Sequence, residues 1–325
     1  MEKYSFVIDE SCVGVRLDKF LSDKFKNLKP EITRSKIKNL IENNQVKCEN
    51  TLLISPSQLT KINQQFTITL QNNQQHRITP KKIDYKIIYE DQDLMVIDKP
   101  ANLTVHPGNG NQDNTLVNGL LYSHNQKLST VAGEFRSGIV HRLDKDTSGL
   151  MLIAKNDFTH LKLSEMLKNR LIKRTYLAII FGVIEPRFGV INIAIERSRV
   201  NRLKMKVAKN AKRIAITHYK TLEIFANNLA SLVECKLETG RTHQIRSHFE
   251  YCKHSLIGDQ LYNSAKKNPP SSTSDSLKDL LQNFPRQALH SYKIEFNHPR
   301  SQNLLSFEIE LPDDLQKLYN ALKNG

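Results

Sequence analysis

A carboxylate flanked by two cations is the strongest chemical signal in this sequence. Asp144 lies between Arg142 and Lys145 in the ten-residue segment HRLDKDTSGL, which begins at His141. A nearby positive charge favours the ionised form of a carboxylic acid. Asp144 is therefore suited to act as a nucleophile or a base at neutral pH. An exposed surface loop with local ion pairs is the alternative that this short pattern leaves open.

The residues after Asp144 predict a rigid support for it. The run from Leu150 to Ala154 is short, continuously apolar and bounded by a glycine and a lysine, which is typical of a buried strand. The three residues before it, Thr147 to Gly149, are common turn formers. We therefore expect Asp144 on a tight loop that packs against a buried strand.

Three blocks of the sequence resemble the RluA/RluD family of RNA pseudouridine synthases. The catalytic segment of that family has the pattern GIVHRLDKDTSGL, and residues 138–150 read GIVHRLDKDTSGL. Residues 173–176 read KRTY, which is similar to the family's K-x-x-Y, and residues 239–246 read TGRTHQIR. The blocks occur in the family's order, and the resemblance covers nearly the whole chain.

The resemblance implies one catalytic residue and three residues that bind the substrate. It identifies Asp144 as the catalytic carboxylate, Tyr176 as the ring that stacks on the target uracil, and Arg246 as the partner of the carboxylate. It also identifies Arg142 as a wedge that fills the space left when a uridine swings out of folded RNA. From the residues alone, core packing of Tyr176, a surface position for Arg246 and an ion pair of Arg142 with Asp144 or Asp146 remain open.

Two titratable neighbours of Asp144 have alternative readings. Asp146 could form a carboxylate pair with Asp144 for acid–base chemistry, although a role in capping the adjacent turn is favoured. The resemblance assigns no proton transfer to His141. We therefore expect His141 to be packed or hydrogen-bonded.

The implied reaction needs no cofactor. It breaks the bond between a uracil nitrogen and the anomeric carbon and rejoins the base through carbon five, without redox change or external energy. The sequence contains neither a G-x-x-x-x-G-K phosphate loop nor a complete G-x-G-x-x-G. The cluster His248, Cys252 and His254 matches no usual zinc spacing, so we expect no metal. Whether Asp144 attacks the sugar or removes a sugar proton stays open.

The charge balance indicates a polyanionic partner. The 325 residues include 48 Lys and Arg against 33 Asp and Glu, a net charge of +15, and RNA is the expected partner. The longest apolar stretch, Tyr176 to Ile184, is about half of what a bilayer span requires. The first ten residues contain acids where a signal peptide would need an apolar core. We therefore expect a soluble, cytoplasmic monomer without a membrane partner.

A strongly basic segment follows the KRTY block. Residues 197–220 contain nine basic residues and no acidic one. Nine unbalanced cations repel one another, so a phosphate backbone is the favoured partner over a merely solvated face. We expect Arg202, Lys204 and Lys206 to contact RNA.

Residues 1–72 predict a small separate module. Apolar residues recur at helical spacing from Leu17 to Phe25 and again from Ile37 to Ile41, and Thr33 could cap the second helix. Two short apolar runs around residues 49–50 then predict a hairpin. This order resembles the alpha-L RNA-binding module shared by a ribosomal small-subunit protein and many RNA-modifying enzymes.

The second predicted helix carries the basic face of that module. Its polar side presents Arg34, Lys36 and Lys38, which the resemblance implies bind RNA. A helical hairpin with solvated lysines is the alternative. Asn44, Asn50 and Asn102 stand where the resembled sequences have glycine, and asparagine tolerates the left-handed backbone best after glycine.

The remaining chain predicts an α+β catalytic domain. Residues 73–82 have no apolar periodicity and form the expected linker, and residues 83–325 contain many short strand-like runs with few helices. Such a pattern is typical of a mixed, mostly antiparallel sheet. Residues 263–283, which include PPSSTSDS, predict a mobile surface loop.

The expected function is site-specific conversion of uridine to pseudouridine in RNA. The HPG stretch at 106–108 and the RSGIV lead-in at 136–140 resemble the RluD branch, which modifies large-subunit ribosomal RNA. Another ribosomal site or a transfer RNA is the alternative within the same chemistry. A non-catalytic RNA-binding factor in ribosome assembly is the alternative from another class.

Overall fold

The chain forms two compact units. A computed structural model describes residues 2–26, 28–29, 32–48, 51–52, 55–70, 78–108, 111–124, 127–208, 211, 213–225, 228–263 and 273–324. The first unit is Met1–Arg77 and the second is Ile78–Gly325.

The first unit is a four-stranded antiparallel sheet with two helices. Its elements are β1 (Glu2–Val7), α1 (Leu17–Phe25), α2 (Arg34–Glu42), β2 (Val46–Cys48), β3 (Thr51–Leu52) and β4 (Gln65–Leu70). The strand order is β1-β4-β2-β3. Apolar residues from both helices and from β2 and β4 form its core.

The two helices predicted in this unit are confirmed. The side chain of Thr33 accepts a hydrogen bond from the Lys36 N–H and caps α2. Asn44 has a φ of 57°, the left-handed conformation expected of it. The sequence did not predict β1 and β4, whose pairing closes the sheet. The expected turn at 49–50, with Asn50, lies outside the described residues.

The second unit is built on a nine-stranded sheet. The strands of the whole second unit, which include two outside this sheet, are β5 (Lys86–Glu90), β6 (Leu94–Lys99), β7 (Ser148–Ala154), β8 (Lys173–Phe181), β9 (Phe188–Asn192), β10 (Ile195–Arg197), β11 (Met205–Val207), β12 (Ile216–Ile224), β13 (Ala230–Leu237), β14 (Leu289–Asn297) and β15 (Leu304–Glu308). Its helices are α3 (Leu116–Ser123), α4 (Asp157–Lys168), α5 (Gln244–Tyr251), α6 (Asp275–Asn283) and α7 (Asp313–Asn324). The order is β5-β6-β7-β14-β8-β13-β12-β9, β15 pairs with β14, and β10 and β11 form a separate hairpin.

The sheet is mixed and mostly antiparallel, as predicted. β7 and β14 pair in parallel, and the other pairs are antiparallel. Alternate residues of one strand enter cores on opposite faces: Met95 and Ile97 lie in one core, Leu94 and Val96 in another. Helices α3 and α5 cover the first face, and α4, α6 and α7 cover the second.

The central strand β14 was not predicted, because its buried positions include polar residues. His290 and Ser291 pair with Ser148 and Gly149 of β7 and are almost fully buried. Gly149 has a φ of 115°, and a Cβ there would lie 2.3 Å from the Ser291 carbonyl oxygen. The turn predicted for Ser148 and Gly149 is therefore wrong. Both residues begin β7, and the turn lies at residues 145–146.

Part of the predicted loop at 263–283 is a helix. Residues 264–272 lie outside the described residues, but α6 occupies the end of the segment and buries Leu277 and Leu281. These two residues are one helical turn apart, so they face the core together. No helix in the described part of the chain is long and apolar enough to cross a membrane.

The predicted linker at 73–82 is described only from residue 78. In that part, Lys81 N–H donates to the Asn118 carbonyl, and the Asn118 amide donates to the Thr79 carbonyl. These bonds join residues 78–82 to α3 of the second unit. The boundaries 1–72 and 83–325 stay a prediction.

Candidate active site

The loop that carries Asp144 is held at its base by backbone hydrogen bonds. Thr147 N–H donates to the Asp144 carbonyl at 3.2 Å, which closes the turn before β7. His141 Nε2 accepts from the Leu152 N–H of β7 at 3.0 Å. Burial lowers the pKa of His141 to about 3, so the ring is neutral and accepts this bond. His141 is thus hydrogen-bonded, as expected.

A fully buried lysine also holds the loop that carries Asp144. Lys99 Nζ donates to the carbonyls of Pro100, Leu103 and Lys145 at 2.7, 3.0 and 3.0 Å. The Lys145 carbonyl belongs to the residue after Asp144. Burial lowers the pKa of Lys99 to about 7. The sequence did not single out this residue as part of the site.

Arg246 joins Asp144 to a second, deeper carboxylate. Its Nη1 donates to Asp144 Oδ2 at 3.0 Å, while Nε and Nη2 donate to the two oxygens of Asp259 at 2.6 and 2.9 Å. The Asp259 side chain is fully buried. Because the guanidinium is planar, this bidentate interaction with Asp259 fixes the orientation of the Arg246 side chain toward Asp144.

These neighbours keep Asp144 ionised. Burial by itself would raise the pKa of Asp144, but the electrostatic interactions with His243 and with the Arg246 guanidinium outweigh it. The pKa of Asp144 therefore lies below its ordinary value, and the carboxylate is negative at neutral pH. The prediction that Asp144 is an ionised carboxylate agrees with this arrangement.

A histidine and a tyrosine complete the surroundings of the carboxylate. Tyr262 Oη accepts from the Met205 N–H at 2.6 Å and lies 2.9 Å from His243 Nδ1. Burial lowers the pKa of His243, so its ring is neutral and Nδ1 can accept the phenol proton. The remaining ring proton is then on Nε2, 3.9 Å from Asp144 Oδ1.

Tyr262 also supports the arginine. The guanidinium carbon of Arg246 lies 4.9 Å from the centre of the Tyr262 ring. The N–H groups of Leu261 and Tyr262 donate to Asp259 Oδ1 at 3.0 and 2.9 Å. One short segment, residues 259–262, therefore orients both His243 and Arg246.

Asp144 opens into a cavity beside β8. The residues around it that matter for the chemistry are Arg142, Asp144, Arg174, Tyr176, His243 and Arg246. Tyr176 is 5% exposed and projects from β8 toward this cavity. Its ring forms part of the wall, which is the position that a stacking surface for a planar base requires.

Arg142 lies at the exposed side of the cavity. Its side chain makes no ion pair with Asp144 or Asp146 in the described residues; its Nη1 donates to His106 Nε2 at 2.9 Å. His106 Nδ1 donates in turn to the Pro107 carbonyl at 3.0 Å, so Nε2 is the free acceptor. The local ion pair considered for Arg142 is therefore absent from this part of the structure.

Comparison with known proteins identifies the family. Residues 93–251 match the family model described as RNA pseudouridylate synthase. The chain is 40% identical over 320 residues to "Ribosomal large subunit pseudouridine synthase D" of Zymomonas mobilis, which covers 97% of this chain and 96% of that protein. The chain belongs to the RNA pseudouridine synthase family. It is therefore an enzyme that isomerises uridine in RNA.

Two further pseudouridine synthases are similar to the chain. "Uncharacterized RNA pseudouridine synthase YlyB" of Bacillus subtilis is 37% identical over 326 residues, which covers all of both chains. The solved structure "Human RNA Pseudouridylate Synthase Domain Containing 4" has a TM-score of 0.55 and 25% identity, and covers 73% of this chain and 92% of that chain. The second unit therefore has the fold of a pseudouridine synthase domain.

The fold brings together the four residues that sequence reasoning assigned to the catalytic centre of the synthase. Asp144, Arg142, Tyr176 and Arg246 all line one cavity, although 102 positions separate Asp144 from Arg246. The pairing of these two residues agrees with the partner role expected for Arg246. Their individual roles in catalysis remain predictions.

The predicted RNA-binding residues of the basic segment lie on and beside a hairpin. We call residues 195–207 the basic hairpin; it consists of β10, β11 and the turn between them. Arg202 and Lys206 are exposed, while Lys204 is half-buried and lies 5.4 Å from the Tyr262 ring. The hairpin therefore contacts Tyr262, which in turn contacts His243 of the cavity.

Part of the positive charge of the basic hairpin is offset by nearby acidic residues. Lys206 forms an ion pair with Glu196 at 3.3 Å, and Lys204 lies 3.8 Å from Glu250 of α5. Both acids lie outside the 197–220 window, so the linear count missed them. Lys209 and Lys212 of the same segment lie outside the described residues.

The basic residues predicted in the first unit lie on the exposed side of α2. Arg34, Lys36 and Lys38 are all exposed. Arg34 pairs with Asp18 at 2.9 Å, and Lys38 lies 3.8 Å from Glu42. The Lys38–Glu42 pair is exposed on both sides, so it contributes little and leaves Lys38 available to a phosphate. Arg34 is exposed too, but its partner Asp18 is nearly buried.

The sequence did not predict every residue of the site. The residues found only in the structure are Lys99, Arg174, His243, Asp259 and Tyr262. His243 and Arg174 lie within the TGRTHQIR and KRTY blocks, so the motifs contained a signal for them. Asp259 and Tyr262 lie in no block, and only the fold shows that they surround Arg246.

Proposed function

We propose that this enzyme converts specific uridines of large-subunit ribosomal RNA to pseudouridine, with Asp144 as the catalytic carboxylate. The observation that carries the proposal is the ionised Asp144, held by Arg246 at 3.0 Å in a cavity walled by Tyr176. The Zymomonas relative, which is 40% identical over nearly its full length, is named as a ribosomal large subunit pseudouridine synthase, and this supports the choice of RNA.

In this proposal each residue of the cavity has one task. Asp144 acts on the sugar of the target uridine, and Tyr176 stacks on the uracil so that the detached base stays in place. Arg246 keeps Asp144 ionised and fixed in orientation, because its other edge is bound to Asp259. Direct attack on the anomeric carbon and removal of a sugar proton both require this ionised, oriented carboxylate.

A uridine within folded RNA has to leave its stack to reach Asp144. Lost stacking costs a few kcal/mol, which a side chain that fills the vacated space can offset. Arg142 is exposed beside the cavity and is held by His106, which makes it suitable as this wedge. Its planar guanidinium can stack on the neighbouring bases.

Basic side chains of the two units are proposed to bind the RNA backbone. In the first unit these are Arg34, Lys36 and Lys38, and in the second they are Arg202, Lys204 and Lys206. A net charge of +15 supports the attraction to a polyanion. Because one chain contains every residue of the cavity, we propose that a monomer acts on this RNA, in the cytoplasm.

The RNA target is tested by mapping pseudouridines in cells. We expect large-subunit ribosomal RNA from cells that lack the gene to lose pseudouridine at a small number of uridines. The wild-type gene should restore them, and a gene encoding the Asp144→Asn variant should not. If the missing sites lie in transfer RNA instead, the chemistry stands and the proposed substrate is wrong.

The RNA-binding surfaces are tested by the salt dependence of affinity. Each phosphate contact that is lost should reduce the slope of log affinity against log salt by about 0.7 to 0.9. We expect a reduced slope when Lys36 and Lys38 are both changed to glutamine, and likewise for Arg202 with Lys206. The measurement is a titration of labelled RNA at several salt concentrations.

A matched variant controls for the loss of two positive charges. Lys162 on α4 and Lys317 on α7 are exposed and lie outside the proposed surfaces. Changing both to glutamine should leave the salt slope as in the wild type. An equal reduction in this control would show that net charge, and not the two surfaces, determines RNA binding.

A further inference from the structure

The catalytic cavity contains a buried cation that the mechanism above does not use. Arg174 is 7% exposed and lines the cavity together with Asp144 and Tyr176. Its Nε is buried without a hydrogen-bond partner. Among the residues that the structure describes, no carboxylate forms an ion pair with its guanidinium.

The local structure directs this side chain into the cavity. Arg174 and Tyr176 are two residues apart on β8, so their side chains leave the same face of the sheet. Gly240 leaves room for the guanidinium, because a Cβ there would lie 2.6 Å from Arg174 Nη1. The arginine therefore lies beside the ring that is proposed to stack on the uracil.

A buried guanidinium without a partner is unfavourable in the free enzyme. Arginine stays protonated in proteins, so burial cannot neutralise it. A buried charge ordinarily requires an opposite charge or full hydrogen bonding. Other functional cations of this site have such partners: Arg246 has two carboxylates, and Lys99 has three carbonyls. Arg174 is left with donors for an anionic oxygen that arrives with the substrate.

The substrate nucleotide offers two sources of anionic oxygen, which are its phosphates and the uracil carbonyl oxygens, and the latter become negative when the base detaches. Its phosphates belong to a chain that enters and leaves through solvent, where exposed cations can bind them. The base is the part that penetrates to Tyr176. An arginine that is more than nine-tenths buried beside Tyr176 is thus better placed for the base than for the backbone.

We propose that Arg174 is a catalytic residue that binds the carbonyl edge of the target uracil and stabilises the negative charge on the detached base. This inference rests on the proposed roles of Asp144 and Tyr176. It names the leaving-group site, which the assignments made from the sequence did not include.

The reaction requires this charge on either route. When the bond between N1 and the anomeric carbon breaks, its electron pair stays on uracil and is shared with the carbonyl oxygens O2 and O4. Asp144 either forms a bond to the anomeric carbon or takes the proton from C2′. The base leaves as an anion in both cases. When its C5 bonds to the anomeric carbon, either the bond between Asp144 and that carbon breaks or Asp144 returns the proton to C2′. The C5 proton is then lost and N1 takes up a proton, which leaves a neutral base.

Arg174 would donate hydrogen bonds to the negatively charged uracil oxygens without transferring a proton. Donors that are already aimed at developing charge in a water-poor site stabilise the transition state more than the ground state. The guanidinium should therefore affect turnover more than RNA affinity.

Arg174→Met tests the proposal with two RNA substrates. We expect the single-turnover rate at saturating RNA to fall by about 10²-fold, with RNA affinity nearly unchanged. The same RNA with 5-fluorouridine at the target position has a better leaving group, since fluorine withdraws charge from the ring. The defect of Arg174→Met should be several-fold smaller on that RNA, as measured by loss of the parent nucleoside after digestion.

The other outcomes contradict the proposal. Equal defects on both RNAs would mean that Arg174 only supports the structure of the cavity. Weaker affinity with an unchanged rate at saturation would place Arg174 on a phosphate. An unchanged enzyme would mean that it has no role. If wild-type protein itself forms no pseudouridine in any tested RNA, the failure lies with the proposed substrate and not with Arg174.

Two variants keep the test independent of folding. Gly240→Ala retains Arg174 but displaces its tip, and it should show the same smaller defect on 5-fluorouridine RNA. Arg187 is exposed, pairs with Glu185 and lies outside the cavity. Arg187→Met removes one arginine in the same way and should leave the rate on both RNAs unchanged.

Discussion

Changing Asp144 to asparagine will abolish pseudouridine formation while RNA affinity stays nearly unchanged. The amide has almost the same size as the carboxylate and can still accept a hydrogen bond from Arg246 Nη1. It cannot act as a nucleophile or a base toward the sugar, so turnover should fall by about 10⁴-fold or more. Tritium release from RNA labelled at uracil carbon five measures turnover, and a binding titration measures affinity.

Asp146→Asn is the matched control in the same loop. Its side chain lies outside the group that lines the cavity, and its contact with Arg286 is made by the backbone carbonyl. We expect this variant to retain turnover. A comparable loss in both variants would support a carboxylate pair, and a loss of affinity together with turnover in Asp144→Asn would mean that Asp144 is structural.

Changing Asp259 to asparagine will reduce both turnover and stability. The buried carboxylate accepts two hydrogen bonds from Arg246 and two from backbone N–H groups. An amide would oppose one N–H of the guanidinium with its own NH₂ group, so Arg246 would lose its fixed orientation. A misplacement of about 1 Å can reduce a rate about 10²-fold. Breaking a buried pair in this way costs about 3–5 kcal/mol of the free energy of unfolding.

Asp93→Asn separates the two effects. Asp93 is nearly buried and lies outside the cavity. It accepts a bidentate interaction from Arg300, with both N–O distances at 2.7 Å. Because the Arg300 side chain is 60% exposed, water can replace part of this bond and the loss of stability should be smaller. Denaturant unfolding gives stability, and turnover is compared per folded molecule. Normal turnover in Asp259→Asn would contradict the positioning role of Asp259.

Local sequence determined much of the secondary structure. Helical spacing of apolar residues predicted α1 and α2, and the cap at Thr33 correctly predicted that α2 begins at Arg34. Asn102 adopts a φ of 61°, as expected for asparagine where the resembled sequences have glycine. These features depend on interactions within a few residues, which a linear pattern records directly.

Tertiary contacts decided the features that sequence reasoning missed. β14 contains polar residues, so its position at the centre of the sheet depends on the pairing of Ser291 with Gly149. Glu196 and Glu250, which lie outside the basic window of residues 197–220, offset the charges of Lys206 and Lys204. Each of these contacts joins two different strands or a strand and a helix, which a linear pattern does not record.

The catalytic centre shows the same division. The sequence by itself determined the chemistry, because residues 138–150 and two short blocks carry the resemblance to the pseudouridine synthases. It also placed an aspartate between two cations. From the residues alone an ion pair of Asp144 with Arg142 stayed open, and only the tertiary structure decided this point. Arg246, which the resemblance named, contacts Asp144 from 102 positions away, whereas Arg142, two positions away, turns to His106. Adjacency in sequence does not fix the direction of a long side chain, and the fold of β7, β8 and α5 does.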